Sequence, residues 1–571
     1  MLKIKKRLGA AKKKISFVLA IANRVINELG LVESINEKVK WDKAHWNISP
    51  GGLVKALILS TFTDMRVPLT HVNERLKDVD LGYLIGEEAE ESEVNSFNIG
   101  RALDQISKID YSGLYATQAL SALQIYDIPI TRCHSDTTTI SFYGDYDIDK
   151  LDLTEEEREE ILKIEKGYNK DGRPASKQVV VGQIVNEFGI PVVNKVMDGS
   201  TSDVEWNKIS LDYVEQIRES GFKNGIYVAD SKLVTKELVT RMNNPENKIS
   251  FVSRCPANFE NKLESRMIEQ AYEDGNWGDL GQYGAGKNAS NYKGISFVEN
   301  ICGAPMKLLV TESSALAANT SHILDKELKN FNSLVNKIEK KTFACQLDAE
   351  KEYADFIKMK EKSLSLFNYS SNIVRRLNEK WPKGRRGINV RPTITETYQI
   401  RITNLGLSEE ACSSYLQNES CIVIISNVTE SVIDVELLGI YKGQYVVENS
   451  FRQLKSPNLA SIIYLKNQNR IQVLSTLLCY ALLIRAIIQY RLRDGLKKRQ
   501  EERPDEILKA GWGGKPLVNP TFKLLYEHTI NCYFERDSVG VYSFTWPDEK
   551  TEKRVSILLS LLSLTVDTIL L

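Results

Sequence analysis

Over the first 125 residues, apolar positions recur at spacings of three and four, which is the period of amphipathic helices. Breaks fall at Ser49-Pro50-Gly51-Gly52 and in an acidic loop near residues 87–94. Ser49 directly precedes the run GGLVKALILSTF, so a helix is predicted to start there. Short helices joined by tight turns are the parts of helix-turn-helix units, although most small helical units bind no DNA.

From about residue 126 the pattern becomes typical of strands. Two β-branched runs flank Glu187-Phe188-Gly189, which indicates a hairpin with the glycine in the turn. The predicted elements are strands at 137–140, 178–186 and 190–197, a helix at 202–220, and strands at 226–229 and 249–253. Three antiparallel strands, a helix and two further strands match a ribonuclease-H-like layout.

After residue 255 the pattern breaks. Residues 256–415 begin strand-like with many glycines, continue as charged helices from about 325 to 380, and return to a strand at 393–403. The GAGK at 284–287 lacks the spacing of a phosphate-binding loop, and β-turns explain its glycines better. The run CIVIIS at 421–426 reads as a buried strand, so the core resumes there.

We therefore predict an α/β fold: a ribonuclease-H-like core, a mixed sheet flanked by helices, interrupted by an insertion domain. The predicted regions are a helical N-terminal region at 1–125, the first part of the core at 126–255, a β-rich and helical insertion at 256–415, the second part of the core at 416–500, and a C-terminal helical region at 501–571.

The segment 441–455 is predicted to be one helix with two distinct faces. At about 100° per residue, one face carries a carboxylate between basic and hydrogen-bonding groups, namely Tyr441, Gln444, Glu448, Arg452 and Lys455. Another face carries Val447, Phe451 and Leu454. A solvated stripe of salt bridges on a surface helix would show the same pattern, so this segment alone does not decide its role.

Two aspartates belong to predicted strands upstream. Asp136 lies near the start of the strand in DTTTISFYG, and Asp230 ends a short apolar run that leads into a helix. Open α/β sheets place their ligands at the C-terminal ends of strands. Asp136, Asp230 and Glu448 together would form an oxygen site suited to Mg²⁺. Each carboxylate taken alone could have a purely structural role, since an aspartate can end a strand or cap a helix.

Several ordered motifs carry a family resemblance. DTTTISFYG with Asp136, KDGRPASKQVVVGQI, VMDGSTSD ending at Asp203, YVADS with Asp230, and the Y-x2-Q-x3-E-x6-K segment resemble the DDE transposases of bacterial insertion sequences. They are similar in particular to the insertion-sequence-four superfamily, over roughly residues 10–490. Two departures stand out: Gln444 replaces the signature arginine, and Ser200 stands where the family usually has asparagine.

The resemblance implies a role for each matching residue. Asp136, Asp230 and Glu448 would be catalytic and would hold Mg²⁺, for which Mn²⁺ substitutes. Tyr441, Gln444, Arg452 and Lys455 would contact DNA. The resemblance also implies double-stranded DNA partners, namely target DNA and terminal inverted repeats, with the helical region 1–125 as the DNA-binding region that recognises the repeats. It further implies a homodimer in the synaptic complex, strand cleavage through a hairpin, and a bacterial cytoplasmic, nucleoid-associated location.

Composition changes this picture little. Net charge is zero, with 75 basic and 75 acidic residues, but the charges are segregated along the chain. The segment KWPKGRRGINVR at 380–391 combines an aromatic ring with cations, so Trp381, Arg385 and Arg386 are predicted to contact DNA. Eight scattered cysteines and five histidines show no zinc or disulfide spacing. The apolar stretch 473–488 contains Arg485 and reads as a core helix, so no membrane segment is predicted.

The sequence thus favours a transposase that cleaves DNA at element ends by metal-dependent phosphodiester hydrolysis and joins the 3′ ends to target DNA. Three alternatives remain open: a catalytically silent DNA-binding protein descended from a transposase, a ribonuclease-H-like nuclease without strand transfer, and a purely structural or interaction protein.

Overall fold

The computed structural model describes residues 13–64, 71–148, 154–219, 224–284, 289–364, 366–384, 391–456, 459, 465, 467–537 and 539–570. Its contacts divide the chain into two compact units. Unit 1 contains Met1–Leu233, Glu237–Phe251 and Ile440–Leu571, and unit 2 contains Val234–Lys236 and Val252–Gly439.

The N-terminal part of unit 1 is helical, as predicted. A short strand is followed by helices in the order β1 (Lys13–Ser16), α1 (Phe17–Glu28), α2 (Leu31–Lys38), α3 (Pro50–Ser60), α4 (Val72–Arg75), α5 (Leu81–Ile85), α6 (Ser96–Ile106) and α7 (Tyr111–Ile125). The start predicted at Ser49 is confirmed, because its side chain accepts a hydrogen bond from the Gly52 amide at 3.0 Å while Pro50 occupies the first helical position.

A mixed sheet follows, flanked by helices. Its elements are β2 (Arg132–Phe142), α8 (Glu155–Glu160), β3 (Lys177–Asn186), β4 (Pro191–Met197), α9 (Asp203–Glu219), β5 (Ile226–Val228), α10 (Lys236–Met242) and β6 (Ser250–Arg254). The strand order in unit 1 is β4-β3-β2-β5, with β2 antiparallel to β3 and parallel to β5. The predicted hairpin is confirmed: β3 and β4 pair antiparallel, and Gly189 in the turn has φ of 79°.

Unit 2 combines strands with helices. Its elements are α11 (Leu263–Asp274), β7 (Gly278–Tyr283), β8 (Ser290–Ile301), β9 (Ala304–Ser313), α12 (Ser314–Glu339), α13 (Gln346–Leu364), β10 (Phe367–Lys380), β11 (Thr393–Leu407), α14 (Glu409–Ser420) and β12 (Cys421–Ser426). Strands β12, β9, β8 and β7 are neighbours in that order.

The helices predicted up to residue 380 are wrong in their last part. Residues 367–380 form β10, which pairs antiparallel with β11 as a separate two-stranded sheet. The base of this pair packs into a core with α12 and α13, where Phe331 stacks on Phe367 at 4.3 Å between ring centroids. The predicted strands at 393–403 and 421–426 are confirmed as β11 and β12. The insertion domain predicted at 256–415 stays a prediction.

The chain then continues through α15 (Asp434–Lys442), α16 (Tyr445–Leu454), α17 (Gln468–Glu502), α18 (Phe522–Thr529), β13 (Tyr533–Arg536), β14 (Tyr542–Phe544) and α19 (Glu549–Leu561). The single helix predicted for 441–455 is therefore wrong: it divides at Gly443, so Tyr441 belongs to α15 and Glu448 to α16. The C-terminal region is also not wholly helical, because β13 pairs with both β1 and β14.

Helix α17 forms much of the core of unit 1, in agreement with the core helix predicted for residues 473–488. It is long and apolar enough to cross a membrane by length and composition, but 89% of its most apolar window is buried inside the protein, as in the core helices of globular proteins. Arg485 lies within it, donates a hydrogen bond to the Thr61 carbonyl at 2.6 Å and sits 5.1 Å from the Phe62 ring.

Candidate functional site

Asp136 and Asp230 come from neighbouring strands of unit 1. Strands β2 and β5 run parallel, with Arg132 opposite Ile226 and His134 opposite Val228. Continued by two residues beyond the end of β5, the same register would bring Asp136 opposite Asp230. Asp230 follows the end of β5, as predicted, whereas Asp136 lies in the middle of β2 because that strand is longer than the sequence pattern indicated. The two carboxylates are close enough to repel each other, beside the point where β5 ends.

A lysine joins Asp136 to a third carboxylate. Lys170 Nζ lies 3.4 Å from Asp136 Oδ1 and 3.0 Å from Asp203 Oδ1. The three side chains are only 25–29% exposed. Thr137 adds a further link, because its hydroxyl donates to Asp203 Oδ1 at 2.5 Å. We call Asp136, Asp203, Asp230 and Lys170 the acid cluster.

The acid cluster concentrates negative charge in a partly buried place. Burial raises the pKa of Asp136, and the nearby charge of Asp203 raises it further, while Lys170 and the Thr137 amide oppose the rise. Burial also raises the pKa of Asp230, to which Asp203 and Asp136 contribute by repulsion. Burial alone would lower the pKa of Lys170, but Asp136 and Asp203 outweigh it and raise that pKa. The lysine thus acts as the cation of the cluster.

The loop that carries Lys170 is fixed along β2. The Lys170 amide donates to Thr139 Oγ1 at 3.2 Å, and its ammonium also donates to the Thr137 carbonyl at 3.0 Å. Asn169 forms the turn, because its side-chain oxygen accepts from the amides of Asp171 and Arg173 at 2.9 and 3.1 Å. These bonds place the ammonium next to Asp136.

Helix α9 covers one face of the sheet and positions Asp203. Trp206 is almost fully buried, and its Nε1 donates to Ser135 Oγ at 2.9 Å. A Cβ at Gly182 would lie 2.5 Å from the Trp206 ring, so a glycine is needed for this close approach. Asn207 donates to Asp230 Oδ1 at 3.3 Å. The N-terminal turn of α9 therefore contacts both strands that carry the predicted aspartates.

Helix α16 packs on the opposite face. Ser450 donates to Gln183 Oε1 at 2.9 Å, and Gln183 is the cross-strand partner of Asp136. Since directly opposite partners on neighbouring strands point to the same face, Asp136 shares the face of Gln183. Glu448, in the first turn of α16, is thus on the helix that covers the face carrying Asp136.

Gln444 connects the start of α16 to β2. Its Nε2 donates to the Ser135 carbonyl at 2.7 Å, and its Oε1 lies 3.3 Å from His134 Nδ1. Burial lowers the pKa of His134 to about 4, so the imidazole is neutral at pH 7 and donates through Nδ1. Both ends of the amide are therefore used inside the protein. The DNA contact predicted for Gln444 stays a prediction.

The other predicted residues near α16 are separate from the acid cluster. Glu448 is exposed, and within the described residues it forms no hydrogen bond or ion pair with Asp136, Asp203 or Asp230. Lys455 pairs with Asp171 at 2.6 Å, the residue after Lys170. The partner of Arg452 is Asn449 at 2.9 Å, and Tyr441 is half-buried at the end of α15. Their catalytic and DNA-binding roles stay predictions.

Trp381 belongs to unit 2, where it follows β10 and is 38% exposed. Arg385 and Arg386 lie outside the described residues. Sequence reasoning assigned no role to Lys170 or Asn207, and it noted Asp203 only as the end of a motif. The signal available for Asp203 was an acidic residue at a helix start, a pattern too common to single it out.

The donor chemistry of the acid cluster fits a divalent cation, although the residues are not arranged around one. In the described part of the chain, no group of three or more His, Cys, Asp and Glu side chains is close enough to hold a metal ion. However, Asp136 and Asp203 share the single ammonium of Lys170 at 3.4 and 3.0 Å, and burial raises the pKa of both Asp136 and Asp230. A hard divalent cation would supply further positive charge to balance these carboxylates.

Comparison with known proteins adds the following. Residues 11–120 match the family described as "Domain of unknown function (DUF4277)", a span that lies inside the helical N-terminal region. No curated protein sequence matches the chain. Among solved structures, the chain is similar to "Cryo-EM structure of piggyBac transposase synaptic complex with hairpin DNA", with 8% identity, a TM-score of 0.35, and coverage of 97% of this chain and 83% of that chain. At that TM-score the similarity carries no argument.

Proposed function

We propose that this protein is a DNA transposase whose acid cluster supports metal-dependent cleavage and joining of DNA strands. The observation that carries the proposal is the parallel register of β2 and β5, which brings Asp136 and Asp230 together beside Asp203. The motif resemblance to the insertion-sequence-four superfamily of DDE transposases supports the choice of DNA as substrate. The chain has net charge zero, so DNA contacts would depend on local surfaces rather than on total charge.

In this proposal, Asp136 and Asp230 would hold Mg²⁺, with Glu448 as the third ligand. A divalent cation held by these carboxylates would supply positive charge to activate a water or a 3′-hydroxyl and to stabilise the leaving 3′-oxygen. Gln444 and His134 fix the start of α16 against β2, which holds Glu448 on the face of Asp136. Lys455, beside the Lys170 loop, would provide a positive charge for a phosphate.

A second candidate for the third ligand is Asp203. Unlike Glu448, it already belongs to the acid cluster, through Lys170 and Thr137. The two candidates would need different movements to bind the metal ion. The exposed side chain of Glu448 would have to turn toward Asp136, whereas Asp203 could bind only if Lys170 moved aside. Comparison of Glu448→Gln with Asp203→Asn separates them, because only the true ligand's variant loses metal-dependent cleavage while it keeps DNA binding.

The proposed function is tested by a joining assay. Labelled duplexes that carry the gene's native flanking DNA are incubated with the protein, a target plasmid and Mg²⁺, with Ca²⁺ as the control cation. Mg²⁺-dependent transfer of label into the plasmid is expected. Cleavage without transfer would identify a nuclease instead, and binding without cleavage in Mg²⁺ or Mn²⁺ would identify a catalytically silent DNA-binding protein.

A further inference from the structure

Strands β10 and β11 form a long exposed β-ribbon in unit 2. They pair antiparallel from Phe367 opposite Leu407 to Lys380 opposite Thr393. The base of the ribbon packs on α12 and α13, where Ile400 and Ile402 are buried. Toward the tip, side chains on both faces become exposed: Leu377 (59%) and Ile394 (57%) on one face, and Arg376 and Asn378 on the other. The outer part therefore projects from the core of unit 2 with both faces accessible.

The pairing register sorts the side chains of the outer ribbon onto two faces. Cross-strand partners point to the same face, and neighbours along a strand point to opposite faces. One face carries the pairs Arg375–Tyr398, Leu377–Glu396 and Glu379–Ile394, and the other carries the pairs Arg376–Thr397, Asn378–Thr395 and Lys380–Thr393. The hydrogen bonds agree with this sorting, because Asn378 donates to Thr397 Oγ1 at 3.0 Å and Arg375 pairs with Glu396.

The two faces differ in charge. The second face continues toward the base through Arg401, which is opposite Asn372. We call it the polar ribbon face and define it by Arg376, Asn378, Lys380, Thr395, Thr397 and Arg401. Within the described strands Phe367–Lys380 and Thr393–Leu407, it carries three cations and no acidic residue. The first face sets Arg375 against the carboxylates of Glu379 and Glu396.

The cations of the polar ribbon face follow a regular line. Arg401 is opposite Asn372, Arg376 comes four residues later on β10, and Lys380 four residues after that. At about 3.3 Å per residue, successive cations are about 13 Å apart and the line is about 26 Å long. Between the cations lie Gln399, which is opposite Val374, and Asn378, which is opposite Thr395. Their hydroxyl and amide groups can bond to phosphate oxygens and base edges. The major groove of DNA, about 12 Å wide, admits a two-stranded ribbon.

We propose that the polar ribbon face binds double-stranded DNA, with Arg376, Lys380 and Arg401 on phosphates. This inference rests on the proposed function for the identity of the partner and adds the element and the face that contact it. The occupant follows from charge complementarity, since a line of cations flanked by hydroxyls, with no acidic residue on the same face of the described strands, suits a polyanion of regular spacing. The opposite face, with its apolar side chains and excess of acid, does not suit DNA.

The test measures how salt weakens binding of the full-length protein to a labelled 30-base-pair duplex, in EDTA so that no strand is cut. Arg376→Ala/Lys380→Ala is compared with wild type and with Arg375→Ala, a matched control that removes a neighbouring charge from the other face. Loss of two phosphate contacts flattens the slope of log K against log salt by about 1.8, and weakens binding about 30-fold at 0.15 M salt. Because Glu396 neutralises the charge of Arg375, Arg375→Ala should keep the wild-type slope and an affinity within about twofold of wild type.

Three results overturn the proposal: wild type that does not bind duplex DNA, a double variant with the wild-type slope, or an Arg375→Ala variant that loses as much affinity as the double variant. A double variant that loses binding to polyglutamate but keeps binding to the duplex points to an acidic protein partner and also overturns it. A protein that shows the expected change of slope but never cleaves DNA sustains the ribbon contact and contradicts the catalytic proposal.

Discussion

Lys170 should be required for the stability of the metal-free acid cluster and should compete with a bound cation. Its ammonium lies 3.0 Å from Asp203 and 3.4 Å from Asp136, and the three side chains are 25–29% exposed. The substitution Lys170→Met keeps the length of the side chain and removes the charge. Asp136, Asp203 and Asp230 are then left together without a cation.

The magnitude follows from distance and burial. At an effective dielectric constant of about 20, unit charges 3 Å apart attract by about 5 kcal/mol before desolvation is subtracted. Removal of one partner from a fully buried pair costs about 3–5 kcal/mol, and exposed pairs contribute about 0–1 kcal/mol. Because these side chains are about a quarter exposed, we expect Lys170→Met to destabilise unit 1 by about 1–3 kcal/mol.

Thermal unfolding measured in EDTA, and then with Mg²⁺ or Mn²⁺ added, tests this reasoning. The variant should unfold at a lower temperature than wild type in EDTA. The rise caused by metal should be larger in the variant, because no ammonium has to be displaced. Lys553→Met, which removes a pair with Glu549 at 2.6 Å on the exposed surface of α19, is the control and should change neither value. An EDTA midpoint equal to wild type, or a smaller metal-induced rise, would refute the reasoning.

Three further predictions concern the same unit. Asp230→Asn should stabilise the metal-free protein at pH 7, because the raised pKa of Asp230 means that its ionised form destabilises the folded state. This gain in stability should vanish as pH falls toward 3.8, where Asp230 of the wild type is itself protonated. Unfolding midpoints measured across pH test this, and destabilisation by Asp230→Asn at pH 7 would contradict it. Gly182→Ala should cost about 1–3 kcal/mol, since the new Cβ overlaps Trp206; denaturant unfolding that shows no loss would disprove the close approach. Gln444→Ala should speed hydrogen exchange in α16, and unchanged exchange would mean that its bonds to β2 do not hold the helix.

The sequence contained local signals for much of the fold that surrounds the site. The hairpin was predictable because Gly189 interrupts two β-branched runs, and Asp230 was predictable because an apolar run ends before it. These signals are local, since turn residues and burial periodicity depend on near neighbours.

The errors have long-range causes. Residues 367–380 contain arginine, leucine, asparagine and glutamate, which read as a charged helix, but pairing with β11 makes them a strand. Strand β1 pairs with β13, from the opposite end of the chain. Helix α15 ends before Gly443, although the 3.6-residue pattern of apolar positions continues past it. The break was not predicted because a lone glycine is tolerated in a helical pattern.

Much of the candidate site was beyond sequence reasoning for the same reason. Lys170 reaches Asp136 and Asp203 only because its loop is bonded along β2, and Asn207 reaches Asp230 only because α9 packs over the sheet. Gln444 read as a lost DNA contact because its two partners on β2 are more than 300 residues upstream, as the separations of 309 and 310 residues show.

The most direct test of the central claim is Mg²⁺-dependent cleavage of a plasmid that carries the native flanking DNA, with wild type compared with Asp230→Asn and with Asp212→Asn. Asp212 pairs with Arg241 on the surface of α9 and serves as the control. Wild type and Asp212→Asn should cut at the ends of the flanked gene, whereas Asp230→Asn should stay folded and bind the same DNA without cutting it. Equal cleavage by Asp230→Asn would contradict it.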